Sequence, residues 1–175
     1  MNYTIISYAI TFFVYALGSF FMLYLSIFVA VIAIGFLTPY ILKELHIRHY
    51  KDIKMVGYAT TIESVFLVVK WALTMLLLYI VFIPLYIIPL VNIIALHFPL
   101  YYFFHKMMTF DVASHITTRE EDEEIKLINS TSLWGKTLLL YIISLIPFVI
   151  FFASVFFVIY LGHIYFTEVK KLRTN

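Results

Sequence analysis

WALTMLLLYIVFIPLYIIPLVNIIALHFPLYYFFH, residues 71–105, carries no formally charged side chain. A membrane helix needs about 20 apolar residues. This stretch is too long for one crossing, and Pro84 and Pro89 fall in its middle. Proline removes a backbone donor and clashes with the preceding turn, so it ends or kinks a helix. The stretch therefore reads as two helical halves of about 15 residues around a proline turn, each short for a full crossing.

Two further stretches are equally free of charge, Met1–Leu42 and Thr137–Thr167. The last apolar run begins at Trp134-Gly135-Lys136, extends to Phe166 and is broken by Pro147. Of all residues 63% are apolar and 13% charged, with a mean hydropathy of +0.99. A soluble domain carries about 25% charged residues, so too little polar surface exists here to cover a globule in water. The fold class expected is an all-α membrane protein. It has long transmembrane helices plus two Pro-broken helical hairpins short enough to penetrate only part of the bilayer.

Composition also excludes functions. There is no cysteine, hence no disulfide framework, thiolate chemistry or Cys-based metal site. A net charge of +2 gives a nucleic-acid role no electrostatic support. The first stretch lacks a basic start and far exceeds the apolar core of a signal peptide, about 7–15 residues. Phosphate-binding, nucleophile-elbow and zinc-protease motifs are all missing. An enzyme and a cofactor are not expected.

Charge placement sets the topology. The polar segments Lys43–Lys54, Lys106–Lys136 and Lys170–Arg173 carry four, four and three Lys or Arg. Cytoplasmic loops collect Lys and Arg, so all three segments belong on one, cytoplasmic side. Each later apolar stretch must then enter and leave on that side. The expected order is a long apolar helix over 3–42, a cytoplasmic segment over 43–63 and a first hairpin over 64–104. A cytoplasmic acidic loop over 105–133, a second hairpin over 134–167 and a basic tail over 168–175 follow. The long helix is expected over about Ile5–Thr38, with Pro39 marking its end or a bend. Two tighter helices broken at Gly18 are the alternative. Thr74–Ile80 and Thr137–Ile142 share a Thr-Leu-rich-Tyr-Ile pattern, and both reach an Ile-Pro soon after. That hints at an internal repeat, common in transporters.

Several constellations carry chemistry at the right spacing. Glu44 and Arg48 share a helix face, with Lys51 a turn further on. This is either an exposed ion pair worth a few tenths of a kcal/mol or an anion site in which Glu44 orients the Arg48 guanidinium. Asn92, His97 and His163 are polar groups inside or near apolar stretches, and such groups usually face the protein interior. With Pro84, Pro89 and Pro147 they are candidate pore or hairpin-turn residues, or else they bond carbonyls freed by the prolines. His46/His49 and Asp111/His115 have metal-compatible spacing, yet neither pair has a third ligand nearby in sequence. No metal site is expected. Thr117 and Thr118 precede Glu120 and Glu121 at capping-box spacing, so a short solvated helix with an acidic first turn is expected there, with a cation site as the alternative.

Four segments carry a family likeness. They are Ile34-Gly-Phe-Leu-Thr-Pro-Tyr-Ile-Leu-Lys-Glu44, Ile83-Pro-Leu with Pro89-Leu-Val-Asn92, Phe110-Asp111, and Leu145-Ile-Pro147 with Leu161-Gly-His163. In this order the chain resembles the CysZ-type sulfate permeases and the wider etoposide-induced membrane-protein-like family over roughly residues 25–166. The resemblance implies a multi-pass protein of the bacterial inner membrane, surrounded by lipid and forming homo-oligomers. It implies passage of a small inorganic anion, sulfate first, with the family's anion-contacting Glu and Arg falling near Glu44 and Arg48. Members usually begin with a cytoplasmic segment, an Arg-Arg sulfate-binding element and an additional long helix. No Lys or Arg precedes Lys43 here, so the chain is expected to be truncated or divergent, or to lack that site. The rival function is a non-transporting membrane scaffold or assembly factor.

Overall fold

The computed structural model describes residues 2–146 and 149–174, with side chains omitted at 2–6, 9, 16, 19–34, 150 and 151. Every regular element among them is helical: α1 Asn2–His49, α2 Thr61–Val81, α3 Val91–Ile116, α4 Arg119–Ser144 and α5 Val149–Thr174. A short 3-10 turn, Ile83–Ile87, joins α2 to α3. Thr61–Val81 and Phe152–Thr174 are each long and apolar enough to cross a bilayer. The chain is an all-α membrane protein.

Ring and hydrogen-bond pairs fix how the helices run. Trp71 meets Phe110 and Phe82 meets Phe98, so α2 and α3 are antiparallel. His97 meets Tyr141, and His105 meets Trp134, so α3 and α4 are antiparallel as well. Glu121 bonds Arg173 and Asn129 bonds Glu168, which orients α5 against α4. The C-terminal part of α1 lies on α5, where Gly162 faces Leu42 and Leu45. The core is the seam between α1, α3, α4 and α5, built on Leu42, Val112, Ile116, Leu140, Leu161 and Tyr165. No described residue of α2 is buried; among the described residues its helix packs mainly on α3 and the 3-10 turn, with Glu63 at its start reaching Arg119 of α4.

This topology gathers the polar segments at one end of the bundle. Tyr58 bonds Asp122, Arg119 pairs with Glu63, and Arg173 reaches both Glu121 and the Lys54 carbonyl. The proline turn at 82–90 lies at the other end, about 30 Å away along the 21 residues of α2. There Leu90 takes a positive φ of 68° as it caps α3. That backbone is strained for a residue with a Cβ.

Three expected boundaries differ. Pro39 does not end the first helix, which continues to His49. Contacts on both sides carry the helix past the missing donor: Thr38 donates to Asp111 at 2.5 Å, and Leu42 is fully buried. The span 105–133, read as a loop holding one short capped acidic helix, is helical except around Thr117 and Thr118: the capped helix starts where expected but runs to Ser144, and α3 extends to Ile116. Val112, Ala113 and Ile116 carry α3 into the core, and Ile125 and Leu133 do the same for α4. The basic tail is the last turns of α5, which runs to Thr174. Of the two options weighed for the N-terminal stretch, one helix is observed, with no break at Gly18. Along that helix Tyr8, Phe12 and Tyr15 stay exposed to their surroundings.

The close approach of α1 to α5 rests on Gly162. A Cβ there would lie 2.8 Å from Cδ2 of both Leu42 and Leu45. Leucine tips can shift, and alanine gains about 1 kcal/mol of helix propensity over glycine, so Gly162→Ala should change stability little. Gly162→Val adds branched bulk against two buried leucines and should cost about 1–3 kcal/mol. Thermal unfolding of the two variants in detergent, read against the parent, measures the contrast.

Candidate functional site

Helix α1 leaves the apolar region with a Glu and an Arg one turn apart. Arg48 Nε donates to Glu44 Oε1 at 2.5 Å, and both side chains are more than half exposed. Beneath them a cavity of about 480 Å³ opens between α1 and α5. Tyr40, Ile41, Leu45 and Ile159 form much of its apolar wall, and Glu44, Arg48, His49 and His163 supply its polar groups. The recorded bond uses Nε alone. A guanidinium carries five N–H donors, so its Nη groups retain the capacity to take an oxyanion.

His163 is brought to this cavity from α5. Its Nδ1 lies 2.8 Å from the Tyr50 hydroxyl, and its ring is 5.7 Å from that of His49. The sequence grouped His163 with the proline turns; the fold instead sets it beside Glu44 and Arg48. Lys51 sits in the exposed turn after α1 and does not line the cavity. His46, the partner in the i,i+3 pair, turns away and donates from Nε2 to the Ile53 carbonyl at 2.7 Å. His115 likewise bonds the backbone carbonyl of Asp111 at 2.7 Å, while the Asp111 carboxylate takes Thr38.

Pro84, Pro89 and Asn92 lie around the turn at the opposite end of the bundle. His97 sits between these ends, with Nδ1 2.9 Å from the Tyr141 hydroxyl, and so ties α3 to α4. Pro147 lies outside the described residues.

A second polar cluster escaped the sequence. The acidic run 120–124 splits by helical phase: Glu120, Glu123 and Glu124 are exposed, and Asp122 is 3% exposed. Asp122 Oδ2 accepts from the Tyr58 hydroxyl at 2.7 Å and from Lys126 Nζ at 2.6 Å, with Tyr165 Oη 3.5 Å from Oδ1. Burial, and next the hydrogen bond to Asp122, push the Tyr58 phenol well above its usual range, so it stays a donor. Asp122, Ile125, Asn129 and Leu133 recur at helical spacing. That row is the signal that could have separated Asp122 from its exposed neighbours. Beside it, Thr118 and Glu121 form the capping box, and the Glu121 carboxylate also takes a two-pronged contact from Arg173 at 2.7 and 3.0 Å.

Among known proteins, the family model described as Sulfate transporter CysZ/Etoposide-induced protein 2.4 matches residues 2–154. No curated protein and no solved structure gives a significant match.

Asp122→Ala removes the acceptor of a buried phenol and of an ammonium. Hydrogen bonds to charged groups contribute about 1.5–3 kcal/mol each, so the variant should lose about 3 kcal/mol in denaturant unfolding, whereas Glu123→Ala should stay within about 0.5 kcal/mol. The Glu121 contact adds a pH signature. Its hydrogen bond to Arg173, with a smaller share from the Thr118 backbone, holds the carboxyl below the ordinary range. The stabilisation is therefore present above the unfolded pKa of about 4.3 and disappears as pH falls through the lower folded value. Arg173→Gln should be less stable than the parent at neutral pH, and the gap should close below that value in thermal melts run across pH.

Proposed function

The chain belongs to the sulfate transporter CysZ/etoposide-induced protein 2.4 family, and from that we propose that it passes a small inorganic anion, sulfate first, across a bacterial inner membrane. The observation that carries this is the Arg48–Glu44 pair at the mouth of a cavity that also receives His163. Arg48 attracts the anion and offers it a planar array of donors. Glu44 holds the guanidinium in place and limits how tightly a second negative charge is retained, which favours release. Lys43 and Lys51 add positive charge on the same side. Eleven of the 12 Lys and Arg lie in the three polar segments that meet at one end of the bundle, which supports a multi-pass topology with that end cytoplasmic.

The path itself would run between protomers. Exposed aromatic residues along α1 and the uncovered face of α2 support homo-oligomers within the lipid. Pro84, Pro89 and Asn92 would then shape the far end of the path, where non-helical backbone must be covered by protein or line a wet cavity. A second function, a membrane scaffold that transports nothing, is favoured by one observation. The Glu44–Arg48 cavity is walled mainly by hydrocarbon, which suits an apolar partner better than a hydrated ion.

Uptake of labelled sulfate into proteoliposomes separates the two. The parent should raise uptake above that of empty liposomes. Arg48→Ala should weaken apparent sulfate affinity about 10- to 100-fold, the loss of one charge-assisted interaction of roughly 1.5–3 kcal/mol. Equal uptake with and without the protein would leave the scaffold.

A further inference from the structure

A second cavity, of about 70 Å³, lies between α3 and α4 and is lined by His105, Lys106, Thr109, Lys126, Ser130 and Trp134, among others. That is several times the space one water needs. Two lysines therefore line one small polar space, along with the Ser130 hydroxyl, while the Thr109 hydroxyl donates to the His105 carbonyl at 2.7 Å. Lys126 is half satisfied by Asp122 at 2.6 Å. Lys106 has no carboxylate within ion-pair distance among the described residues, and rests 5.9 Å from the centroid of the Tyr102 ring. Two lysines lining one cavity, with one carboxylate paired to one of them, leave an excess positive charge that an anion would neutralise.

The side chains next to this cavity change character along the helices. Lys106, Tyr102 and Phe98 are spaced four apart on α3, and Ser130, Trp134 and Leu138 are spaced four apart on α4, so each set shares a helix face. The helices are antiparallel, and both rows run from polar groups near the charged end to rings and aliphatic carbon toward the proline turn. Phe98 and Leu138 are 37% and 42% exposed. The Trp134 ring is held rather than free. It stacks on His105 at 4.1 Å, and His105 Nδ1 is fixed 2.7 Å from Thr137 Oγ1. The Thr137 hydroxyl proton is directed to the Leu133 carbonyl at 2.8 Å, which makes the histidine the donor.

We propose that this cavity is the headgroup site of an anionic phospholipid: Lys106 and Lys126 take the phosphate, Ser130 donates to a remaining oxygen, and the acyl chains lie along Trp134, Leu138, Tyr102 and Phe98. A freely dissolved anion would use the ammonium groups equally well but gains nothing from the apolar rows beneath them. A lipid uses both, and basic pockets between membrane helices near the cytoplasmic face suit such headgroups. The site is separate from the Arg48 cavity and stands whether or not the chain passes sulfate.

Trp134 is one of two tryptophans, so Trp71→Phe leaves it as a single fluorescent reporter at the site. The full chain, in phosphatidylcholine nanodiscs, would receive traces of phosphatidylglycerol or phosphatidylcholine with brominated acyl chains. Trp134 should be quenched at a mole fraction at least tenfold lower by the glycerol lipid. Lys106→Gln and Lys126→Gln should each abolish that preference, whereas Lys170→Gln/Lys171→Gln, which removes twice the charge of either elsewhere, should keep it. Lys106→Gln breaks no ion pair and so answers the question even if Lys126→Gln, by freeing Asp122, fails to fold. Equal quenching by the two lipids overturns the proposal, as does a preference that survives Lys106→Gln. Loss of the preference in an excess of inorganic phosphate, with no difference between the brominated lipids thereafter, marks a free-ion site and overturns it too.

Discussion

Asp122 is a carboxylate in a place that water scarcely reaches, and the polar end of the molecule is arranged around it. A buried charge without partners is costly, and in practice it survives only when paired and hydrogen-bonded. Here the partners come from three parts of the chain: Tyr58 from the segment after α1, Lys126 from α4 itself, and Tyr165 from α5. Satisfying one carboxylate therefore fixes where the first connection crosses the bundle and how α5 lies on α4. Arg173, bridging Glu121 and the Lys54 carbonyl, closes the same junction from the outside.

The rest of the architecture follows from where charge is absent. An apolar helix gains little by packing against another in lipid, so small residues and polar contacts decide the seams. Gly162 lets α1 approach α5, Thr38 and Asp111 tie α1 to α3, and the His97–Tyr141 and His105–Thr137 contacts tie α3 to α4. Helix α2 has none of these on its outer face and remains uncovered. The two cavities sit where these seams part, one between α1 and α5 and the other between α3 and α4. Each has both cationic and apolar side chains in its lining. That combination suits a protein whose ligands arrive at the border between water and hydrocarbon.

Some of this was legible from the residues. Uncharged runs of more than 30 residues state plainly that the chain lives in a membrane, and Pro84 and Pro89 locate the first turn because proline cannot donate. The Glu44–Arg48 pair was visible because four-residue spacing on a helix is itself a contact. Pro39 misled for the complementary reason. Its local cost was readable, but the tertiary contacts of Thr38 and Leu42 that carry the helix past it were not. Over 105–133 the capping box marked the start of a helix, but the length of that helix and the run of α3 into the same span depend on apolar partners that only the fold supplies.

By itself, the sequence determined the solvent, the helical class and the clustering of positive charge, because each depends on composition and local spacing. It could not show what buries Asp122: helical spacing puts that residue in the row of Ile125 and Leu133, but burial is a property of what packs opposite. Nor could it bring His163 to Arg48, more than 100 residues away, or set Lys106 against Lys126. Only the tertiary structure decided which charges meet, because in a bundle of near-uniform apolar helices that choice rests on a few glycines, hydroxyls and carboxylates at the seams.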